Sequence, residues 1–326
     1  MEKHDVIVVG GACAGMSAAL YTARRALKTL VLTKDIGGQL AITTEVENYP
    51  GVLKTTGPEL AQNFKKHAEL SGAEIKTGLV SEINKIGDKF QVVSSIGEFE
   101  SKVVILAFGL KQRQLGVPGE NELIGRGVAY CATCDAPFYK QKKVGVVGGG
   151  NSSFDAAEYL ADIAAEVHLF VRTDKYRAEQ TLIDAVKSAN NVTIHNFTEI
   201  AEFIGEQKLE KVKLKNNKTN EKSELELDGV FIEIGWESQA GKIKGVSELV
   251  ELDERGYVII DNQSRTSTPG IYAAGDVTNT PFKQAVISAG EGAKAAMSAA
   301  KYIQETKGTD GSPGLTPDWT RGNKKK

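Results

Sequence analysis

The sequence predicts an α/β fold with two Rossmann-like βαβ domains, the first of them discontinuous along the chain. A short β-branched run, a glycine-rich turn and a helix-like run follow one another twice, from Val6 and again from Val144. The length of 326 residues also fits two domains. We place the first domain at residues 1–116 and 246–305, the second at 117–245, and a flexible tail at 306–326.

Composition and charge exclude several classes of protein. Hydrophobic residues make up 41% and charged residues 25% of the chain, as in ordinary globular proteins. The net charge of -2 gives no electrostatic reason to expect a nucleic acid or membrane partner. The first residues show no cationic leader and no cleavage site, and the three cysteines fit a reducing compartment. We therefore expect a cytoplasmic protein.

The first glycine turn, residues 10–15, carries a nucleotide-binding signal. It follows the strand predicted at Val6–Val9 and precedes a predicted helix. Gly10 and Gly15 match the outer glycines of a GxGxxG fingerprint, while Ala12 holds the middle position. Such a turn presents free N–H groups and the positive end of a helix dipole to a pyrophosphate. Cys13, inside the turn, is expected to be a packing residue.

Two later segments complete this first domain. Gly37–Gln39 form a polar loop after the second strand, suited to lie over an adenosine or a flavin. Gly275-Asp276 put a carboxylate after a predicted strand, where it could accept hydrogen bonds from ribityl hydroxyls. A further strand is predicted at Gly256–Ile260, and a helix of small residues at Val286–Tyr302.

The second glycine turn, residues 148–153, follows the strand predicted at Val144–Val147. Gly148 and Gly150 keep the first two glycines of the fingerprint, and Ser153 replaces the third. Arg172 and Arg177 come just after the next strand, where the 2′-phosphate of a nicotinamide coenzyme would sit. The alternative is a solvated charged loop.

A pair of thiols lies between the two nucleotide signals, in Cys131-Ala-Thr-Cys134-Asp135. This spacing permits a reversible disulfide if the segment forms a helical or turn-like loop, and Asp135 could supply protons. The alternative, a zinc site, needs four ligands. Cys13 is distant, and the four histidines have no ligand spacing relative to the pair. We therefore expect one βαβ segment to hold a redox cofactor and the other a hydride donor, with electrons leaving through the thiols.

The chain resembles the low-molecular-weight thioredoxin reductases of bacteria and archaea. The motifs that carry the resemblance are Gly37-Gly-Gln-Leu40, Thr43-Thr-Glu-Val-Glu-Asn48, Gly125-Arg-Gly-Val128, Cys131-Ala-Thr-Cys-Asp135, Gly148-Gly-Gly150, Ala273-Ala-Gly-Asp276 and Lys283-Gln-Ala285. The resemblance implies FAD, NADPH, a homodimer, and thioredoxin or a thioredoxin-like protein as electron acceptor. It also implies that the smaller domain swivels, and that Arg126 lies near the partner.

The resemblance completes the set of expected site residues. Those expected to bind FAD are Gly10, Ala12, Gly15, Gly38, Gln39, Leu40, Asn48, Gly275, Asp276, Lys283, Gln284 and Ala285. Those expected to bind the nicotinamide coenzyme are Gly148, Gly150, Asn151, Ser152, Arg172 and Arg177. The expected catalytic residues are Cys131, Cys134 and Asp135, and no metal ligand is expected.

Three positions depart from the family pattern. Ala12 replaces a glycine, and Phe108 interrupts an Ala-Thr-Gly that usually ends the first domain's last strand. A His-Arg-Arg with a fourth basic residue reads here as Val171-Arg172-Thr173 with Arg177. The lost basic groups lead us to expect that NADPH is preferred over NADH by a reduced margin.

Three other functions stay open from the sequence alone. The first is the flavoprotein component of a peroxide-reducing system, although this chain shows no fused N-terminal module. The second is a ferredoxin-dependent flavin thioredoxin reductase, or a flavin dithiol oxidase that does not use nicotinamide. The third is a flavin-binding regulatory module with an inert dithiol. Trp319, in the tail, is expected to be an incidental aromatic residue.

Overall fold

A computed structural model describes residues 1–43 and 45–306 of the chain. Thr44 and residues 307–326, which include Trp319 and nearly all of the predicted tail, lie outside the described residues. The α-helices are α1 Cys13–Ala23, α2 Gly57–Leu70, α3 Ala132–Asp135, α4 Asn151–Ala161, α5 Gln180–Ser188, α6 Val246–Leu249 and α7 Ala285–Thr306. Short 3₁₀ turns span Gly38–Ile42, Ala136–Tyr139 and Ala240–Lys242.

The strands fall into four sheets. In chain order they are β1 Glu2–Val9, β2 Thr29–Thr33, β3 Glu74–Thr77, β4 Val80–Ile86, β5 Lys89–Ser94, β6 Gly97–Leu106, β7 Leu110–Gln112, β8 Val128–Ala129, β9 Lys143–Val147, β10 Glu166–Val171, β11 Val192–Asn196, β12 Thr198–Ile204, β13 Lys211–Asn216, β14 Lys222–Glu226, β15 Gly229–Ile232, β16 Trp236–Ser238 and β17 Ile271–Ala273. The described chain divides into two compact units. Unit 1 holds Met1–Ala41, Gly57–Leu110 and residues 238–306, and unit 2 holds Ile42–Thr56 and Lys111–Glu237. The domain boundaries predicted at 116/117 and 245/246 lie six and eight residues further along the chain than these divisions.

Unit 1 is built on a seven-stranded sheet in the order β3-β2-β1-β6-β5-β4, with β17 also paired to β6. The first half of β6 pairs antiparallel with β5, and its second half pairs parallel with β17. Residues Val103–Leu106 of β6 are almost completely buried. A continuous β-branched and leucine run of this kind is typical of a parallel strand that is covered on both faces.

Small residues let α1 and α7 of unit 1 approach closely. A side chain at Gly292 of α7 would lie 2.0 Å from the carbonyl oxygen of Ala14 in α1, so glycine is required there. The alanines of α7 then pack with Met16 and Val31 in one apolar layer of the unit. The strand predicted at Gly256–Ile260 is wrong, because Val258 forms only isolated bridges to Leu252 and Thr278.

Unit 2 contains a five-stranded parallel sheet in the order β11-β10-β9-β15-β8. Helices α4 and α5 cover one face around Phe154, and the antiparallel sheet β12-β13-β14 contributes to the apolar layer on the other, around Phe170. The predicted α/β class is confirmed by these two units, and the unit that contains the first glycine turn is discontinuous in sequence, as predicted. None of the helices in the described part of the chain combines the length and apolarity that a membrane crossing needs.

Candidate functional site

The first glycine turn lies between β1 and α1 of unit 1, and its backbone leaves no room for side chains. Gly10 has a φ of +119°, and a Cβ there would lie 2.2 Å from the carbonyl oxygen of Ala107. A Cβ at Gly15 would lie 1.9 Å from the carbonyl oxygen of Gly10. Ala12 precedes α1 with extended backbone angles that any residue adopts, φ −101° and ψ −166°. Alanine therefore stands at the middle position of the fingerprint without strain.

The loop around Gly38 is attached to this turn. The Gly37 N–H donates to the carbonyl oxygen of Gly11 at 2.9 Å, and a Cβ at Gly38 would lie 3.4 Å from the Cβ of Ala12. The Gln39 side chain donates to the carbonyl oxygen of Leu110, but its amide oxygen is buried with no hydrogen-bond partner. A buried acceptor without a donor costs about 1–3 kcal/mol. An additional donor beside the turn, such as a bound cofactor, would remove that cost.

Residues from the other end of unit 1 reach the same turn. A Cβ at Gly275 would lie 2.8 Å from the Cβ of Ala14, so this glycine packs directly on the start of α1. Burial raises the pKa of Asp276, although Oδ1 accepts a 3.0 Å hydrogen bond from the Ser288 hydroxyl. Burial and the nearby Asp276 carboxylate raise the pKa of Cys13 to about 12, so this buried thiol is not reactive, and the packing interpretation is confirmed. A partly buried carboxylate with capacity for further hydrogen bonds thus lies beside the first glycine turn.

A buried glutamate, which the sequence analysis missed, holds this second segment in place. Glu291 of α7 is 7% exposed, and its carboxylate accepts a 2.7 Å hydrogen bond from the Gly275 N–H. The same carboxylate accepts hydrogen bonds from the hydroxyls of Thr278 and Thr280. An acidic residue in a helical stretch of alanines and glycines was the available signal, since a buried charge needs specific partners.

The remaining residues expected to bind FAD are placed as follows. Lys283 donates to the carbonyl oxygen of Thr278 at 2.7 Å and lies over the ring of Tyr257, and burial lowers its pKa. Leu40 lies in the turn Gly38–Ile42, and Gln284 and Ala285 lie at the start of α7. Asn48 belongs to unit 2, whereas all the others belong to unit 1.

The thiol pair forms a disulfide in unit 2. Cys131 and Cys134 are joined with Cα atoms 5.3 Å apart, and Cys131 caps the short helix α3. The N–H groups of Cys134 and Asp135 both donate to the carbonyl oxygen of Cys131, at 3.2 and 3.1 Å. The predicted turn-like loop is therefore present, and its first residue begins one turn of helix. We call residues 131–135 the redox loop.

Asp135 has the proton affinity of a general acid. Burial raises the pKa of its carboxyl group to about 6. Asp135 lines a cavity of about 390 Å³ together with Arg126, Phe138 and Tyr139. Burial, with the negative charges of Asp135 and Asp228, raises the pKa of Tyr139 to about 12, so this phenol stays protonated. The geometry thus places an acid next to the disulfide and beside a space that another molecule could enter.

The second glycine turn precedes α4 of unit 2. Gly148 has a φ of +149°, and a Cβ there would lie 2.5 Å from the carbonyl oxygen of Glu233. The Gly150 N–H donates to the Ser153 hydroxyl, which itself donates to the Gly150 carbonyl oxygen. Nothing lies within 4 Å of a Cβ built on Gly150. The start of α4 therefore offers an open approach for a phosphate, in keeping with its dipole.

The two arginines expected to read a 2′-phosphate are exposed beside this turn. The backbone N–H of Arg177 donates to the carbonyl oxygen of Gly149 at 2.7 Å, which fastens its segment to the turn. The hydroxyl of Thr173 is used in a local turn with Lys175, and Val171 is buried at 3% exposure. Neither Arg172 nor Arg177 forms an ion pair with any residue in the described part of the chain. Asn151 bonds both the backbone and the side chain of Glu179, and Ser152 lies exposed in the first turn of α4.

A group of ligand-type side chains also lies at the edge of unit 1. The Nε2 atom of His4 lies 3.3 Å from a Glu2 oxygen and 3.5 Å from a Glu74 oxygen. The ammonium of Lys76 already bonds both carboxylates, at 2.8 and 2.9 Å. This group is therefore an ion-pair network with its own cation.

Comparison with known proteins decides the family. The family model described as pyridine nucleotide-disulphide oxidoreductase matches residues 4–300. The chain belongs to this family. Among curated relatives, the chain is 40% identical over 302 residues to a thioredoxin reductase of Treponema pallidum, covering 92% of this chain and 97% of the relative. A thioredoxin reductase structure from Streptococcus pyogenes matches with a TM-score of 0.88 and 36% identity, covering 93% of this chain and 99% of that one.

A second kind of relative is longer than this chain. An alkyl hydroperoxide reductase flavoprotein of Staphylococcus aureus is 40% identical over 304 residues, which cover 93% of this chain. The match spans only 59% of the length of that relative. Members of the family that are equally similar in sequence thus carry different names and differ in overall length.

Proposed function

We propose that the protein is a thioredoxin-disulfide reductase that passes electrons from NADPH through FAD and the Cys131–Cys134 disulfide to thioredoxin or a thioredoxin-like protein. The observation that carries this proposal is the redox loop, in which a partly exposed disulfide adjoins an acid with a raised pKa of about 6. The near full-length match to a protein named thioredoxin reductase supports it.

The residues of unit 1 fit FAD. The first glycine turn would bind its pyrophosphate, since it offers helix N–H groups and excludes side chains at Gly10 and Gly15. Asp276 would accept hydrogen bonds from the ribityl hydroxyls, and a bound flavin could supply the donor that the Gln39 amide oxygen lacks. When bound, FAD would accept a hydride and pass electrons on as pairs.

The residues of unit 2 fit a nicotinamide coenzyme and an electron exit. The second glycine turn would bind the coenzyme pyrophosphate, and Arg172 and Arg177 would bind the 2′-phosphate with charge-assisted hydrogen bonds. Asp135 would donate a proton to a sulfur as the disulfide opens and recover it from solvent afterwards. Arg126, exposed at the rim of the same cavity, would contact the acceptor protein. We include a homodimer in the proposal, as the resemblance implies.

The test combines the proposed donor and acceptor. The FAD-loaded protein is titrated anaerobically with NADPH, NADH and reduced ferredoxin while flavin absorbance is followed, and thioredoxin reduction is then measured with the best donor. We expect NADPH to bleach the flavin, and Cys134→Ser to bleach normally but to reduce no thioredoxin. The matched control is Cys13→Ser, which removes the buried thiol outside the redox loop. Wild-type thioredoxin reduction by Cys134→Ser would overturn the proposal.

A second candidate function is the flavoprotein component of a peroxide-reducing system. It is favoured by the 40% identity to the alkyl hydroperoxide reductase flavoprotein, although this chain spans 59% of that relative. The two functions differ in the acceptor. Adding the disulfide-containing N-terminal module of such a relative as a separate protein distinguishes them, because only the second function predicts faster electron transfer to that module than to thioredoxin.

A further inference from the structure

Glu233 connects the second glycine turn to the redox loop within unit 2. It directly follows β15, and its N–H continues the sheet by donating to the carbonyl oxygen of Val147 at 2.9 Å. Its own carbonyl oxygen packs against Gly148, and its carboxylate accepts a 3.4 Å hydrogen bond from the N–H of Ala132. A titratable side chain thus contacts the loop that carries the disulfide.

The surroundings of Glu233 disfavour its ionisation. Burial raises the pKa of the carboxyl group to about 7, the negative charge of Asp155 on α4 adds to this, and the bond from Ala132 opposes it. The other titratable groups on the elements packed here are Asp135 and the two cysteines of the redox loop. No cation within the described residues offsets these acids at Glu233. Near neutral pH, Glu233 therefore exchanges a proton readily with solvent.

We propose that Glu233 takes up a proton when the Cys131–Cys134 disulfide is reduced, so that a thiolate and a carboxylate are not both charged beside the redox loop. The inference rests on the proposed function, in which this disulfide is reduced. Reduction breaks the S–S bond, and each sulfur gains one electron of the pair that the reductant supplies. One sulfur binds a proton, the other remains a thiolate, and Glu233 binds a further proton from solvent. Glu233 acts through the loop and is a positioning residue.

Linkage fixes the direction of the effect. Two negative charges in one poorly hydrated site raise each other's pKa, and each unit of coupling is a factor of ten in an equilibrium constant. The coupling acts only where Glu233 is ionised in the oxidised protein, which is above its pKa. Replacement by glutamine should therefore favour disulfide reduction at high pH and leave it unchanged at low pH. A merely structural role for the side chain would shift the equilibrium equally at every pH.

The experiment measures the disulfide equilibrium without using a coenzyme or an acceptor protein. FAD-loaded wild type, Glu233→Gln, Glu233→Asp and the exposed control Glu158→Gln are equilibrated with reduced and oxidised dithiothreitol, and free thiols are counted after acid quenching and alkylation. At about pH 6 we expect equal equilibrium constants, and at about pH 8.5 an increase of roughly tenfold in Glu233→Gln relative to wild type, for one unit of coupling. Glu158→Gln should follow wild type, and Glu233→Asp, which keeps an acid, should retain part of the pH dependence.

The outcomes separate this inference from the proposed function. A ratio of Glu233→Gln to wild type that stays constant with pH would overturn the role of Glu233, even if the disulfide is fully reducible. If Glu233→Gln does not fold, loss of the pH dependence in Glu233→Asp would still overturn it. A disulfide that dithiothreitol does not reduce in the wild type would instead sink the proposed function itself.

Discussion

Replacing Glu291 with alanine should loosen the segment that carries Asp276. The structure gives this carboxylate three donors: the Gly275 N–H at 2.7 Å, the Thr278 hydroxyl at 3.3 Å and the Thr280 hydroxyl. The two hydroxyls have other options, since Thr278 already donates to the carbonyl oxygen of Gly275 at 2.9 Å. The backbone N–H of Gly275 has none, because it is fixed against α1.

The expected magnitude follows from that one donor. A buried N–H left without an acceptor costs about 1–3 kcal/mol, and the hydroxyl contacts add up to about 1 kcal/mol. Removal of a buried charge returns part of this cost, so we expect a net loss of about 2 kcal/mol in the free energy of unfolding. Glu291→Gln keeps an acceptor for the Gly275 N–H and should lose about half as much.

Two measurements check this prediction. Urea unfolding of the FAD-free protein, followed by circular dichroism, gives the change in stability, and equilibrium dialysis with FAD gives the change in affinity. Glu305→Ala, which removes an exposed carboxylate from the end of the same helix, is the matched control. If Glu291→Ala unfolds at the same urea concentration as Glu305→Ala and binds FAD equally well, the reasoning is refuted.

Three further predictions concern the cofactor, the coenzyme and the acid. The protein should purify yellow with FAD, and Asp276→Ala should lower its FAD content in absorbance spectra while Asp88→Ala, an exposed control in the same unit, should not; a colourless wild type that takes up no added FAD would contradict this. Arg172→Ala should lower the NADPH-to-NADH ratio of kcat/KM and Thr173→Arg should raise it, by roughly ten- to a hundredfold, since one charge-assisted hydrogen bond is worth about 1.5–3 kcal/mol; unchanged ratios in both variants would show that the coenzyme phosphate binds elsewhere. Because burial raises the pKa of Asp135 to about 6 in the folded protein, its protonated form favours folding, and this contribution is lost as the pH rises through about 6. Wild type should therefore lose stability relative to Asp135→Asn between about pH 4 and about pH 7, and a difference in urea midpoint that does not change with pH would count against the raised pKa.

The sequence was sufficient for features that depend on local chemistry. Gly10, Gly148 and the redox loop could be predicted because a positive φ, a close backbone approach or a three-residue spacing is written in consecutive residues. Ala12 shows the limit of motif matching, since the backbone there is extended and the fingerprint glycine is not needed.

Features that depend on tertiary contacts were missed. Glu233 and Glu291 resemble ordinary surface glutamates in the sequence, and only the fold shows that each is held by a backbone N–H in a poorly hydrated place. The strand predicted at Gly256–Ile260 failed for the same reason. Its β-branched residues are favourable for a strand, but Val258 finds only isolated bridging partners. The assignment of Ile42–Thr56 to unit 2 likewise had no signal in composition or spacing.

The close packing of α1 against α7 has a consequence for biosynthesis. A nascent chain that ends after Glu237 contains every residue of unit 2, yet it lacks β17 and α7 of unit 1. Until those elements leave the ribosome, Ala14, Met16 and Ile105 lack the apolar surface of α7 and β17 that they pack with in the folded chain. Since compact units generally fold as wholes during translation, the unit that begins the chain should be the last to fold, and it depends on chaperones for longer than unit 2.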